Sequence, residues 1–368
     1  MSKKTNEKKI VYALICYDAA HSGVYGKIQD QVAFWTSSGY SIQLFVITDL
    51  ESQEYWRRLD DSAVILLDVS VMSKMMNRFK LIRMAIKTNP SLIYLRDSFP
   101  LRIPRSVIPI ILEVQSLVGR ELKMRSYAKY IFFNLVKKKY YSRIDGVIYV
   151  TNELLMLNEA KVRSGIPKIA IGNAINLSRV TPVALNLSRD LNLFFVGTPN
   201  QPWHGVSDIV QFGELNPDIN VHIVGGQGTS SSPNLFFYGR LQNSDYYEIA
   251  SKCIAGVGTL KLTTNQMEEA SPLKVREYLA MGLPVIIRYR DVDLDPTSDY
   301  VLQLPVDDRS FSDFSSEIRL FIESWKSMRV DRSAVSHLDV RVKESLRLEF
   351  FEQVRDLQNA KLQSKGQK

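Results

Sequence analysis

Short apolar runs recur along this chain. Each is followed by a glycine-bearing or polar loop and then by a stretch with apolar positions at helical spacing. Residues 10–17 read as a strand. His21-Ser-Gly23-Val-Tyr-Gly26-Lys27 reads as a glycine-bearing turn, followed by a helix to about Ser38, a stop at Gly39 and a strand over 42–47. That is the β-loop-α-β unit of a doubly wound parallel sheet. Residues 63–68, 91–95, 108–114 and 146–150 continue it as short buried strands with helical segments between them. A second run opens near Leu191 with a strand over 193–196, a loop from Gly197 to Gly205, a helix, and a strand over 219–224 ending in Gly225-Gly226-Gln-Gly228. Strands over 234–238 and 254–257 follow. The join falls between Leu177 and Asp190, where periodicity is lost. The pattern predicts an α/β chain of two Rossmann-like doubly wound domains, 1–180 and 190–340, facing across a cleft. Residues 341–368 form a C-terminal helix with Leu346, Phe350, Phe351, Val354 and Leu357 on one face, which would pack back on the first domain.

Composition supports a soluble globular protein, at 45% hydrophobic and 23% charged residues. No apolar run reaches the roughly 18 residues of a membrane span, and the N-terminus lacks the apolar region of a signal peptide. The two cysteines, Cys16 and Cys253, each adjoin an apolar element and read as core residues in a reducing compartment. The expected location is the cytoplasm.

Charge changes the picture at one place. The net charge is +8, yet residues 120–143 alone hold eight bases (Arg120, Lys123, Arg125, Lys129, Lys137, Lys138, Lys139, Arg143) against Glu121. Tyr127, Tyr130, Ile131, Phe132, Phe133 and Leu135 interleave with them. The stretch suits either a solvated basic face on a core-packed helix or a helix lying on an anionic membrane surface, on its inner face. No nucleic-acid motif accompanies it, so no nucleic-acid partner is expected.

The chemistry concentrates in Glu269-Ala-Ser-Pro-Leu-Lys-Val-Arg-Glu277-Tyr-Leu-Ala-Met-Gly282-Leu-Pro-Val-Ile. Ser271 reads as an N-cap, Pro272 as the first helical residue and Gly282 as the stop before a buried strand. The N–H groups of Leu273 and Lys274 are then left without intrahelical acceptors and make an anion site, to which Lys274 adds a full charge. Glu277, three residues on, shares that face and can accept hydroxyl hydrogen bonds, while Glu269 reaches the same place from the loop. Anion, diol and a third polar group in a row are what a nucleotide diphosphate sugar presents.

This segment resembles the nucleotide-sugar signature of family 4 glycosyltransferases, which are retaining enzymes of the GT-B fold, in its Ser-Pro-Leu-Lys form. The resemblance extends to Thr151-Asn-Glu-Leu, Gly172-Asn-Ala-Ile and the Gly197–Gly205 loop, and covers about residues 10–290. It implies a metal-independent hexosyltransferase with no cofactor, taking a UDP- or GDP-sugar. Glu277 would hold the ribose, Glu269 would sit by the transferred sugar and Lys274 would meet the diphosphate, with Ser271, Leu273, Gly197, His204, Gly23 and Gly26 around the donor. The acceptor implied is a glycan or lipid-linked molecule of surface-polysaccharide assembly. The chain departs from the family at three places. Thr198 and His204 stand where many members carry diphosphate-binding Arg and Lys, and Gln115 stands where many carry a His beside the sugar. Gln115 can hydrogen-bond a hydroxyl but cannot carry a proton. A non-catalytic GT-B protein supporting a partner transferase, or a nucleotide-sugar epimerase, stays open on those grounds. The four histidines show no ligand spacing, Asp291-Val-Asp293 lies in the wrong place for a metal-binding Asp-x-Asp, and no Gly-x-Ser-x-Gly elbow is present.

Overall fold

The computed structural model describes residues 8–96, 103–157, 162–185, 190–198, 201–225, 228, 230–241 and 243–366. Pro199 and Asn200 of the Gly197 loop, Gly226 and Gln227 of the glycine run, and residues 186–189 of the expected join lie outside them. The chain divides into two compact units, Met1–Gly172 with Arg341–Lys368, and Asn173–Val340.

In the first unit, seven parallel strands form one sheet: β1 (Lys9–Ile15), β2 (Ser41–Thr48), β3 (Val64–Leu67), β4 (Leu92–Arg96), β5 (Ile110–Val114), β6 (Gly146–Tyr149) and β7 (Lys168–Ala170). Their order is β3-β2-β1-β4-β5-β6-β7. The helices are α1 (Gly23–Ser37), α2 (Gln53–Leu59), α3 (Val71–Lys87), α4 (Val118–Arg125), α5 (Tyr127–Tyr141) and α6 (Asn152–Leu157). The strands read as continuous apolar runs because both sheet faces are covered. Tyr12, Leu14, Leu44 and Val46 bury one face against Ile28 and Trp35 of α1 and Trp56 of α2. Leu81, Ile82 and Ala85 of α3 are buried, and α3 packs on β1, β2 and β3. Right-handed crossovers explain the split. The chain moves one way along the sheet through α1 and α2, and the other way through α3 and through α4–α5, so these two sets of helices take opposite faces.

The second unit holds β8 (Leu191–Val196), β9 (Ile219–Val224), β10 (Leu235–Gly239), β11 (Ala255–Val257), β12 (Glu269–Ala270), β13 (Val285–Ile287), β14 (Arg290–Asp291) and β15 (Val301–Gln303). Six form a parallel sheet in the order β10-β9-β8-β11-β13-β15, and β12 pairs with β14. Its helices are α7 (Val206–Leu215), α8 (Asn243–Ser251), α9 (Leu273–Met281) and α10 (Ser315–Ser324).

The last helix, α11 (Val340–Gly366), lies mostly in the first unit, where Phe350, Phe351 and Val354 join the core around Trp35. Its buried face differs from the apolar stripe. Leu346 and Leu357 are exposed, whereas Glu344 and Arg347 are almost fully buried. They are held by side chains a periodicity argument ignores. Glu344 accepts from Trp35 Nε1 at 3.0 Å and Gln31 Nε2 at 3.2 Å, and Arg347 lies 3.7 Å from Glu113.

Three local expectations are corrected. The chain divides after Gly172, whereas the sequence places the join at 177–190; Leu177 and Val180 are buried in the second unit, and Arg332 donates to both their carbonyls. Helix α1 begins at Gly23, capped by Ser22, so Gly26 sits in its first turn, not in the loop. Ser271 is not the cap of α9. Pro272 takes that place, and the Ser271 hydroxyl accepts instead from the Asn173 N–H at 2.7 Å.

Candidate active site

The second unit gathers most of the residues singled out above. Helix α9 starts at Leu273 and ends on Gly282, which takes the left-handed conformation at φ 87° that glycine adopts without strain. The preceding loop is pinned from both sides. Asn173 bonds the Ser271 hydroxyl through its N–H and the Ser271 carbonyl through its side-chain amide. Arg276, fully buried, donates to the Asn173 carbonyl at 3.3 Å, to both carboxylate oxygens of Asp291 and to Asp293 at 2.8 Å. Asp291 and Asp293 are thus spent on an arginine. With β12 paired to β14, this clamp fixes the position of Glu269.

Lys274 lies in the first turn of α9. Its Nζ is buried, has no hydrogen-bond partner among the described residues and sits 4.1 Å from the centroid of the Phe195 ring. Burial pushes its pKa down to about 7, because removing an ammonium from water without a counter-anion is costly. The ring face offsets part of that cost. His204 lies beside it, with Nδ1 also buried and unpartnered. Burial, and then the Lys274 charge, hold its pKa down to about 3, so it is neutral near pH 7. Gly197 is needed by close approach, since a Cβ there would stand 2.8 Å from His204 Nδ1 and from Phe195 Cζ. Lys274, desolvated and without a hydrogen-bond partner among the described residues, is arranged to receive an anion, with the neutral His204 ring beside it.

Glu277 lies one turn further along α9. Its Oε1 accepts from Tyr246 at 2.5 Å and Tyr247 at 3.2 Å, both on α8. Burial raises its pKa despite those bonds. Oε2 takes no hydrogen bond from any described group and remains able to accept from a diol.

In the first unit, Gln115 follows β5, and its Nε2 is buried with no acceptor. Gly23 and Gly26 lie in the first turn of α1. Below this turn, Lys27 donates to Glu113 at 2.6 Å, both being buried.

Sequence reasoning missed Phe195, Tyr246, Tyr247, Asn173 and Arg276. Phe195 stands two residues before Gly197 and Arg276 between Lys274 and Glu277, so both adjoin residues that were noticed. Asn173 falls in the Gly172-Asn-Ala-Ile stretch noted above but without a role, and nothing local marks the tyrosines, which act only through contacts distant in sequence.

No protein-family model matches the chain, and no curated protein is similar to it in sequence. Solved structures do match. The chain is similar to a glycosyltransferase from Rickettsia africae at 13% identity and a TM-score of 0.63, with 94% of this chain and 98% of that one covered. It is similar to HepE from Anabaena, solved with UDP and glucose, at 11% identity and 0.67, covering 94% and 100%. A third similar structure is an alpha-glucosyltransferase solved with UDP and mismatch-containing DNA, at 11% identity and 0.57, covering 93% and 95%. Two parallel-sheet Rossmann-like units in succession, matching such structures over nearly their whole length, give this chain the GT-B fold.

Proposed function

We propose that this protein is a metal-independent retaining glycosyltransferase of family 4 type, taking a hexose from a UDP- or GDP-sugar. The observation that carries the reading is the buried, unpartnered Lys274 Nζ at the start of α9, with Glu277 one turn on. When the bond from the anomeric carbon to the diphosphate oxygen breaks, negative charge grows on the diphosphate. Lys274 and the first-turn N–H groups of α9 neutralise it, in a desolvated place where such an interaction is strong. Glu277 holds the ribose hydroxyls through Oε2, and the clamped Glu269 orients the sugar. His204, neutral and bonded to the Thr198 backbone, lines the donor without adding charge, and Gln115 has a side-chain N–H to donate to a sugar hydroxyl.

The acceptor is a glycan or lipid-linked molecule of cell-envelope glycan assembly, in keeping with the basic aromatic stretch 120–143. It is not a nucleic acid, although one similar structure was solved with DNA.

The test is calorimetric and thermal-shift binding of UDP, GDP, ADP and their sugars to wild type, Lys274→Ala and Glu277→Ala. One base is expected to bind, and each substitution to weaken it about 10- to 100-fold, the worth of one charged hydrogen bond. Folded wild type that binds none of them would leave a non-catalytic GT-B protein as the better reading. Donor consumption without acceptor would favour an epimerase.

A further inference from the structure

The strongest unassigned feature lies in the first unit. Helix α3 contains five bases (Lys74, Arg78, Lys80, Arg83, Lys87) and no acid. With residues 120–143 it carries more positive charge than the chain's net +8, so the remaining chain is net acidic. The two stretches are far apart in sequence, but the crossover argument places α3 and α4–α5 on the same sheet face.

The burial pattern shows which sides of these helices point outward. In α3, Asn77, Leu81 and Ala85 are buried at intervals of four. Met72, Met76, Phe79 and Arg83, at helical spacing on the opposite side, are exposed, Met72 at 69%. Lys80 and Lys87 flank them and are also exposed. In α5, Phe133 and Tyr140 are buried, while Ile131 and Leu135 project from the far side, Leu135 at 76%. Exposed Tyr127, Lys138 and Lys139 border that stripe.

Each helix therefore has three layers: a buried stripe on the sheet, an outward stripe of large apolar side chains, and exposed bases beside it. A solvated basic face has no need of Met72, Phe79, Ile131 and Leu135 at its outer pole. A nucleic acid would meet the bases but gain nothing from Met, Ile and Leu facing its phosphates. An anionic lipid surface uses both, taking the apolar side chains into the acyl boundary and the bases onto the headgroups.

We propose that α3 and α5 together form one membrane-docking surface, specific for anionic lipid. This goes beyond the donor reading and does not depend on it. It also adds α3, which the charge run at 120–143 does not include. Two weak helices on one rigid sheet face act as a bivalent anchor, in which engagement of the first raises the effective concentration of the second.

The experiment is flotation with vesicles of phosphatidylcholine alone and of phosphatidylcholine with roughly one phosphatidylglycerol in three. Four proteins are compared: wild type, Lys80→Gln/Arg83→Gln on α3, Ile131→Ser/Leu135→Ser on α5, and Arg57→Glu/Arg58→Glu on α2, on the opposite face. All substituted side chains on α3, α5 and α2 are exposed, and circular dichroism checks that each variant is folded. Wild type and the α2 variant are expected to float only with the anionic vesicles and to be released near 1 M salt, where the Debye length falls to about 3 Å. The α3 variant is expected to lose binding by roughly 10- to 30-fold, about the worth of its two charges at such a surface, and the α5 variant by roughly as much or more through lost apolar burial. Nucleotide thermal shifts on the same variants stay at wild-type values, which separates failure here from failure of the donor site. Wild type that ignores lipid charge, or an α3 variant that floats like wild type, overturns the proposal. So does tight duplex DNA binding that survives Ile131→Ser/Leu135→Ser, and so does lipid-free dimerisation that the same substitutions abolish.

Discussion

Lys274 Nζ sits 4.1 Å from the ring centroid of Phe195 with no hydrogen-bond acceptor in reach among the described residues. A cation in that state is worth little to the folded chain and a great deal to an arriving anion. The helix start supplies the partial charge, the ring supplies the apolar floor, and the missing partner is the part a diphosphate would provide.

Nucleotide binding should therefore take up a proton. The free Lys274 pKa of about 7 rises when a diphosphate lies beside it, so between the two values the complex holds the extra proton. At about pH 8, calorimetry in buffers of different ionisation heat is expected to show uptake approaching one proton per nucleotide, and affinity is expected to weaken above about pH 7. Lys274→Arg, charged throughout, should abolish both effects. Uptake that persists in that variant would place the titrating group elsewhere.

The same shift affects stability in a fixed direction. An unfolded lysine titrates near 10.4, so between about 7 and that value the unfolded chain binds more protons and stability rises with pH. Lys274→Met removes its share of this slope, readable as a melting temperature that climbs less than wild type does, most clearly between about pH 7 and 8, below the Lys27 titration.

Arg276 holds the loop carrying Glu269 and Ser271, and its replacement leaves Asp291 and Asp293 facing each other without a cation. Arg276→Met is expected to cost about 3–5 kcal/mol by urea denaturation, the scale for breaking a buried ion pair. Arg276→Lys should recover part of that but not the fork geometry, so donor affinity stays reduced. Wild-type stability in Arg276→Met would show the clamp to be dispensable.

Gly197→Ala puts a methyl 2.8 Å from His204 Nδ1. A cost of about 1–3 kcal/mol is expected from the forced displacement. Adding His204→Ala removes one of the two colliding rings and leaves Phe195, so the double mutant should lose less than the sum of the singles. Strict additivity would show that the two residues do not touch.

In the first unit, burial pushes the Glu113 carboxyl up, but Lys27, Arg347 and Arg96 pull harder and hold its pKa down to about 2. The stability this supplies is complete above the ordinary value of 4.5 and is lost as pH falls towards about 2. Burial meanwhile lowers Lys27 to about 8, against the pull of Glu113, so the pair is expensive to bury and costlier to break. Glu113→Gln is expected to destabilise by about 3–5 kcal/mol at pH 7 and to flatten acid unfolding between about 4.5 and 2. An unchanged acid limb would assign that loss to other carboxylates.

The sequence by itself determined what is local. The apolar runs of β1, β2, β8 and β9 were legible because strands buried on both faces have a continuous signature, and their alternation with helices gave two parallel sheets. Helix α9 was legible within a residue or two from Pro272 and Gly282, since caps and stops act on neighbouring backbone. Four of the six described strands of two or three residues, β7, β12, β14 and β15, were not, because so short a segment shows no period; β11 and β13 were legible only as parts of apolar runs. Tertiary structure alone decided the polar partners. Ser271 left its capping role for Asn173, 98 residues away. Glu277 met Tyr246 and Tyr247, and Glu344 and Arg347 went inside while Leu346 and Leu357 stayed out. A buried polar group goes wherever partners can satisfy it, and which partners come within about 3 Å is settled only when distant elements close on one another.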